Sequence, residues 1–261
     1  MRLPDAIDKL RPSIVQIRLS SSPTAPSATL GTGFIATDAF HVVTAKHVID
    51  AVDHAAGQSL DVGFAGPTID TPQLKIRASF AVVPGHVLDV SDRDDLALLE
   101  VPGAGKLPIM VQVGPQAIRP SLAAAVISTV ALREGVELAV SGYPLNQPSL
   151  VTTAGVLASS FSPDGLAGEW QDRYLGDFTA NPGNSGGPVY TVHDGSVVGV
   201  CVAARLAPIV GGAGAQAAGL TVIVPSAQVV ALLARNGLHP TATTALAVTG
   251  TLRSTNAKRK R

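Results

Sequence analysis

The chain has 261 residues and a mass of 26.5 kDa, with 46% hydrophobic and 15% charged residues. That balance excludes disorder, which needs low hydrophobicity and high net charge, and the length allows one large domain or two small ones around a sizeable core. Lys+Arg and Asp+Glu both number 19, but Arg253, Lys258, Arg259, Lys260 and Arg261 crowd an acid-free C-terminal stretch, so the remaining chain is net acidic and has no electrostatic claim on nucleic acid.

In chain order, Pro4–Leu10 reads as one short helical turn, and Ser13–Leu19 alternates as a half-buried strand does. Asp5 and Asp8 interrupt the apolar residues of the N-terminus. No signal peptide and no membrane span of ~20 residues is expected, and the reading is a cytoplasmic protein. Ser20–Thr29 is a Ser/Pro/Thr/Ala loop.

Short β-rich runs then recur between Gly, Pro and Asp breaks: Gly33–Ala36, His41–Thr44, Leu74–Val83, Leu96–Val101, Glu137–Ser141, Val151–Leu157, Phe178–Ala180, Pro188–Val192, Val197–Ala203 and Leu220–Val224. This spacing predicts an all-β chain of antiparallel barrels or sandwiches. Helix is expected at Ala45–Val52 and at Ser226–Asn236, the second with Ser226 as N-cap and Gly237 closing its end. Gly211–Gly219 reads as a mobile hairpin connection, and residues 238–261 as a Thr/Ala-rich, then basic, disordered tail. The tail is read first as a solvated run, then as a contact with an acidic partner or membrane surface, and last as a nucleic-acid contact.

The strongest local signal is Asn181-Pro182-Gly183-Asn184-Ser185-Gly186-Gly187-Pro188. Dense glycine around one serine lets the chain turn tightly and aim its N–H groups at one point. A serine hydroxyl needs a base to take its proton, and the oxyanion formed by its attack needs fixed donors. The amides of Gly183 and Ser185, with Asn184 between them, have the register to supply those donors.

Of six histidines, His47 stands where the apolar Val42-Val43-Thr44-Ala45 run gives way to a helical turn. His41, His54, His86, His193 and His239 lie in polar, turn-like or tail contexts. The carboxylate that should hold the imidazole in one tautomer is Asp95, directly against the apolar run Leu96–Val101 and so the acid expected to be drawn inside. The lone Cys201 can form no internal disulfide and reads as a buried thiol. Trp170, Tyr174 and Phe178 read as packing residues, no cluster has metal-ligand spacing, and no cofactor is expected.

His47, Asp95 and Ser185 follow one another at separations of 48 and 90 residues. With Gly31–Ile35, Thr44–Ile49, Asp95–Leu99, Gly142–Pro144, Val151–Val156, Asn181–Pro188 and Val198–Val200, the chain resembles the trypsin/chymotrypsin-like serine proteases, and more closely their HtrA/Deg-like bacterial branch. The resemblance implies two six-stranded antiparallel β-barrels, at about 12–110 and 111–225, within a domain of residues 1–237 that ends in helix 226–236. It implies a serine endopeptidase with His47 as base, Asp95 as orienting carboxylate and Ser185 as nucleophile. It places Thr179, Val202, Ala203 and Ala204 along the substrate pocket. None is charged, which points to a small or medium apolar P1 residue.

Where digestive-type relatives carry an aspartate before the serine, this chain has Asn184, so ordering of loop 207–219 is a more natural switch than N-terminal cleavage. Val202 replaces a common Ser or Thr and removes a bond to Asp95. The 24 residues after Gly237 are too few for a PDZ domain, and no N-terminal trimerisation extension is expected. The partners expected are a polypeptide substrate and, as an option, an activating protein. The alternative reading is a peptide-binding pseudoprotease, idle or switched on by a partner.

Overall fold

A computed structural model describes residues 1–21, 28–66, 69–70, 75–76, 80–107, 111–113, 116–118, 121–163, 172–208 and 215–241. Trp170 and most of the basic tail lie outside the described residues, as does the Gly-rich connection up to residue 214. The last part of that connection, residues 215–219, is strand rather than loop.

The chain opens with α1 (Leu3–Leu10), which buries Ala6 and Leu10, and continues into β1 (Ile14–Ser20), β2 (Ala28–Ile35) and β3 (Val42–Ala45). A single helical turn, α2 (Lys46–Ile49), follows, then β4 (Ser59–Ala65), the two-residue strands β5 (Ile69–Asp70) and β6 (Lys75–Ile76), β7 (Phe80–Pro84), β8 (His86–Ser91) and β9 (Leu96–Glu100). The short pair β10 (Val111–Val113) and β11 (Gln116–Ile118) precedes the second half. That half contains β12 (Glu137–Gly142), β13 (Val151–Pro163), β14 (Asp172–Asp177), β15 (Pro188–Thr191), β16 (Val197–Pro208), β17 (Ala215–Pro225) and α3 (Ser226–Arg235).

The two halves close differently. β12-β13-β14-β17-β16-β15 form a closed antiparallel barrel of six strands. The first half is a seven-stranded sheet in the order β7-β4-β1-β2-β3-β9-β8, a half-barrel, so the expected all-β pair of antiparallel barrel units is present with the first of them open. Its end strands β7 and β8 adjoin in sequence but do not pair.

Composition accounts for the layering. β9 is buried on both faces, with Leu96, Ala97, Leu98 and Leu99 all at 0% exposure, as expected of a continuous apolar run covered on two sides. At roughly 1.5–3 kcal/mol per fully buried leucine, this strand is a main contributor to core stability. Val229, Leu232 and Leu233 form the apolar stripe of α3, which packs on β8, β9 and β16 and so bridges the two sheets.

Ser226 is the first helical residue rather than the cap. Pro225 holds the N-cap position, and the buried Ser226 hydroxyl donates to the Ser128 carbonyl at 2.5 Å. Gly237, at φ 68°, closes the helix with the Leu238 N–H on the Leu233 carbonyl. No helix among the described residues is long and apolar enough to cross a membrane.

Candidate active site

Strand register brings the first two candidates together. β3 runs antiparallel to β9 with Ala45 opposite Leu96, so the residues beyond that pair, Lys46–His47 and Asp95, leave the sheet side by side. The Lys46 N–H donates to the Asp95 carbonyl at 3.0 Å and starts the α2 turn. The Asp95 carboxylate then accepts from the His47 backbone N–H at 2.9 Å and from imidazole Nδ1 at 2.7 Å.

Asp95 has φ 54°, in the left-handed region that Asp tolerates better than most residues. Its side chain is 33% exposed and that of His47 45%, so the carboxylate stands at the rim rather than inside. Lys46 is tied to the flank by Asp50 at 2.6 Å and Asp92 at 3.2 Å, and the bonds to Asp50 and then Asp92 raise its pKa.

Ser185 sits on two successive tight turns. The Asn184 N–H donates to the Asn181 carbonyl and the Gly187 N–H to the Asn184 carbonyl, both at 2.9 Å. Gly183 at φ 101° and Gly186 at φ 83° supply the backbone that this path needs. At Gly186 a Cβ would lie 2.1 Å from both the Thr32 carbonyl and the Thr44 hydroxyl, so any side chain there would force the two halves apart.

The Ser185 carbonyl accepts from the Thr32 N–H of β2 at 2.9 Å, and this bond docks the serine turn onto the sheet that carries His47 and Asp95. The Ser185 hydroxyl donates to the Val202 carbonyl at 3.5 Å, a long contact. A register shift between Cys201 and Ala203 leaves Val202 out of the ladder with β17 and turns that carbonyl toward the serine. Among the described residues, no hydrogen bond joins Ser185 to His47.

Thr32 of the Gly31–Ile35 motif, Tyr143 of the Gly142–Pro144 motif and the neighbouring Leu145 hold the backbone beside the serine. The Thr32 hydroxyl accepts from the Tyr143 N–H at 3.0 Å and donates to the Gly183 carbonyl at 2.6 Å. The Pro182 carbonyl accepts from the Leu145 N–H at 2.8 Å, which orients the preceding peptide, Pro182–Gly183, that carries the Gly183 N–H. Leu145 achieves this at φ 55°, an unfavourable backbone for leucine, with its side chain 61% exposed. Among the described residues no acceptor is matched to the N–H of Gly183 or of Ser185.

The backbone N–H of Asn184 does not join that pair. It is spent on the turn, and the Asn184 side chain is buried at 1% with Oδ1 toward Gly142 and without a partner. Of the pocket candidates, Thr179 is exposed and its carbonyl accepts from the Thr153 hydroxyl at 3.0 Å. Thr221 of β17, the ladder partner of Ala204, donates to the Phe178 carbonyl at 2.5 Å and so ties the segment after β14 to the strand beside Ala204. Val202 is buried while Ala203 is exposed and Ala204 half-buried. Cys201 is 1% exposed, and burial pushes its thiol up to about 12.

Residues 31–200 match a family described as the trypsin-like peptidase domain. Among curated proteins the chain is similar to serine protease HTRA1 of Xenopus laevis, at 26% identity over 204 residues covering 75% of this chain and 37% of that protein. It is similar also to serine protease HTRA3 of Homo sapiens, at 27% over 205 residues covering 75% and 39%. The chain therefore spans well under half the length of these relatives. Among solved structures it is similar to the crystal structure of Deg5, with TM-score 0.61, 22% identity and coverage of 87% of this chain and 90% of that one. It is similar to the HtrA-type protease AlgW with decapeptide, with TM-score 0.59, 16% identity and coverage of 87% and 65%.

Proposed function

From the premise that this chain belongs to the trypsin-like peptidase family, we propose that it is a serine endopeptidase that works through His47, Asp95 and Ser185. The observation that carries the reading is the pair of His47–Asp95 hydrogen bonds on the sheet to which the Ser185 turn is docked. With Nδ1–H donated to the Asp95 carboxylate, the His47 imidazole presents the lone pair of Nε2 as the base.

When substrate enters, Ser185 Oγ leaves its long contact with Val202 and gives its proton to Nε2 as it attacks the scissile carbonyl. The N–H groups of Gly183 and Ser185 receive the resulting oxyanion. Asp95 stabilises the imidazolium, which then protonates the departing amine. Water hydrolyses the acyl-enzyme by the same base. The seven-stranded sheet supplies base and acid, and the closed barrel supplies nucleophile, oxyanion donors and pocket.

Thr179, Val202, Ala203 and Ala204 bring no charge to the pocket, so the reading takes a small or medium apolar residue at P1. Differences of a methyl group discriminate by only about 1–3 kcal/mol, and the preference should be broad. A peptide library cleaved by the wild-type protein, with Ser185→Ala as control, tests this. Cleavage after Val, Ala, Leu or Thr that vanishes in the control is the expected result; a profile dominated by Lys or Arg would overturn the pocket assignment.

A further inference from the structure

Asp95 stands at the tip of a hairpin with little sheet around it. β8 ends the seven-stranded sheet, and among the described residues no strand lies on its outer side. Residues 92–95 join β8 to β9, and Asp95 itself is held in left-handed backbone. Lys46 and His47 hold Asp95 from the β3 side and Lys46 Nζ reaches Asp92, which leaves Arg93 and Asp94 to contacts from other elements.

Two arginines from other elements grip the hairpin. Arg235 of α3 binds the Asp89 carboxylate at 2.6 Å and the Val90 carbonyl at 2.8 Å, on the stem of the hairpin. Arg173 of β14 reaches the tip. One Nη donates to the Arg93 carbonyl at 3.0 Å, and the other lies 3.7 Å from Asp94 Oδ1. Asp94 is fixed in turn, with Oδ2 accepting from the Ser91 hydroxyl at 2.8 Å.

Arg173 is only 3% exposed, and a guanidinium so deeply buried is costly unless its donors are matched. A buried arginine on one sheet that reaches the two residues preceding Asp95 on the other ties the strand system that carries Ser185 to the acid that orients its base.

We propose that Arg173 is a positioning residue for the reaction of this site: it fixes the 92–95 tip so that the Asp95 carboxylate stays on His47. The inference rests on the reading of His47, Asp95 and Ser185 given above. A guanidinium is suited to the task because its planar fork serves a carbonyl and a carboxylate at once, which an ammonium does less well.

The test uses the full chain as wild type, Arg173→Met, Arg173→Lys and Asp94→Asn, with Asp95→Asn as reference. Two readouts are followed: the nitrogen-15 and low-field Nδ1–H resonances of the His47 imidazole across pH, and kcat against KM on a peptide that the wild type cleaves. Arg173→Met is expected to lose the low-field resonance as Asp95→Asn does, and to lower kcat by about 100-fold with KM within about threefold. Arg173→Lys and Asp94→Asn are expected to fall between, at about tenfold.

A folded Arg173→Met protein with the wild-type imidazole titration and kcat within about twofold would overturn the proposal. Should that variant not fold, unchanged resonances and rates in both milder variants would overturn it equally. If the wild type cleaves nothing, the reading of the activity fails, while the imidazole resonances still decide the role of Arg173.

Discussion

The carboxylate of Asp95 takes both of its hydrogen bonds from His47, at 2.9 Å from the backbone N–H and 2.7 Å from imidazole Nδ1. The first fixes where the carboxylate lies and the second fixes which imidazole nitrogen holds the proton. One residue thereby sets both the place of the carboxylate and the imidazole nitrogen that faces it.

Asp95→Asn separates these effects from folding. Asparagine tolerates φ near 54° as aspartate does, so the backbone should stay, but the amide presents a donor as readily as an acceptor. The account expects kcat to drop by about 10⁴-fold with Tm nearly unchanged, measured by steady-state hydrolysis and thermal unfolding. A loss below about tenfold would contradict the assigned role.

Thr32 should matter to activity without touching substrate. Thr32→Val keeps the shape but strips the hydroxyl from the Tyr143 N–H and the Gly183 carbonyl. Two buried groups lose partners, at about 1–3 kcal/mol each, and the Gly183 peptide loses a restraint. Lower Tm together with a fall in kcat greater than any change in KM is the expected outcome of denaturation and kinetic assays. A fall confined to Tm would remove Thr32 from the oxyanion support.

Much of the site was legible in the sequence because its signals are local. The glycines around Ser185 announce a turn, and the strand-to-turn change at Ala45 announces an anchored His47. The rest depends on pairings between distant segments. Leu145 and Arg173 carry no local mark, and Thr32 and Tyr143, although inside Gly31–Ile35 and Gly142–Pro144, find their partners only when the fold brings distant segments together.

The missed strands have physical reasons. β8 exposes Val87 and Leu88 side by side and so breaks the alternation that a half-buried strand shows. β14 ends at Asp177, one residue before the expected Phe178–Ala180 strand, because the Phe178 ring folds back over Gly176 and its carbonyl turns to Thr221. Asp95 was expected inside from its apolar neighbours, but the left-handed turn before Leu96 lifts it to the rim.

Acid should weaken the grip of α3 on the β8–β9 hairpin. The bond from Arg235 holds the Asp89 carboxyl below its usual range, helped by Asn236 and the Val90 N–H. A carboxylate with a lowered folded pKa contributes stability that is present above its unfolded value and is lost as pH falls through the folded one. Asp89→Asn should therefore lower Tm by about 2–4 °C at neutral pH. The difference from wild type should shrink below about pH 4. Thermal scans from pH 7 to 3 check this, and a gap that widens on acidification would contradict it.

Cys201 should be chemically silent in the native protein. It is buried in β16, and its thiol is pushed up to about 12, so almost no thiolate exists at neutral pH. Ellman's reagent should find no reactive thiol before denaturation and one afterwards. Rapid native reaction would show that β16 opens beside Val202.

Activation of Ser185 is tested most directly by intact-mass analysis after exposure to a fluorophosphonate probe, which reacts with an activated serine hydroxyl. The account predicts one adduct on the wild-type chain, mapped to Ser185, slowed strongly in His47→Ala and absent in Ser185→Ala. A folded wild-type protein that stays unlabelled, or a Ser185→Ala protein labelled as readily as wild type, would contradict it.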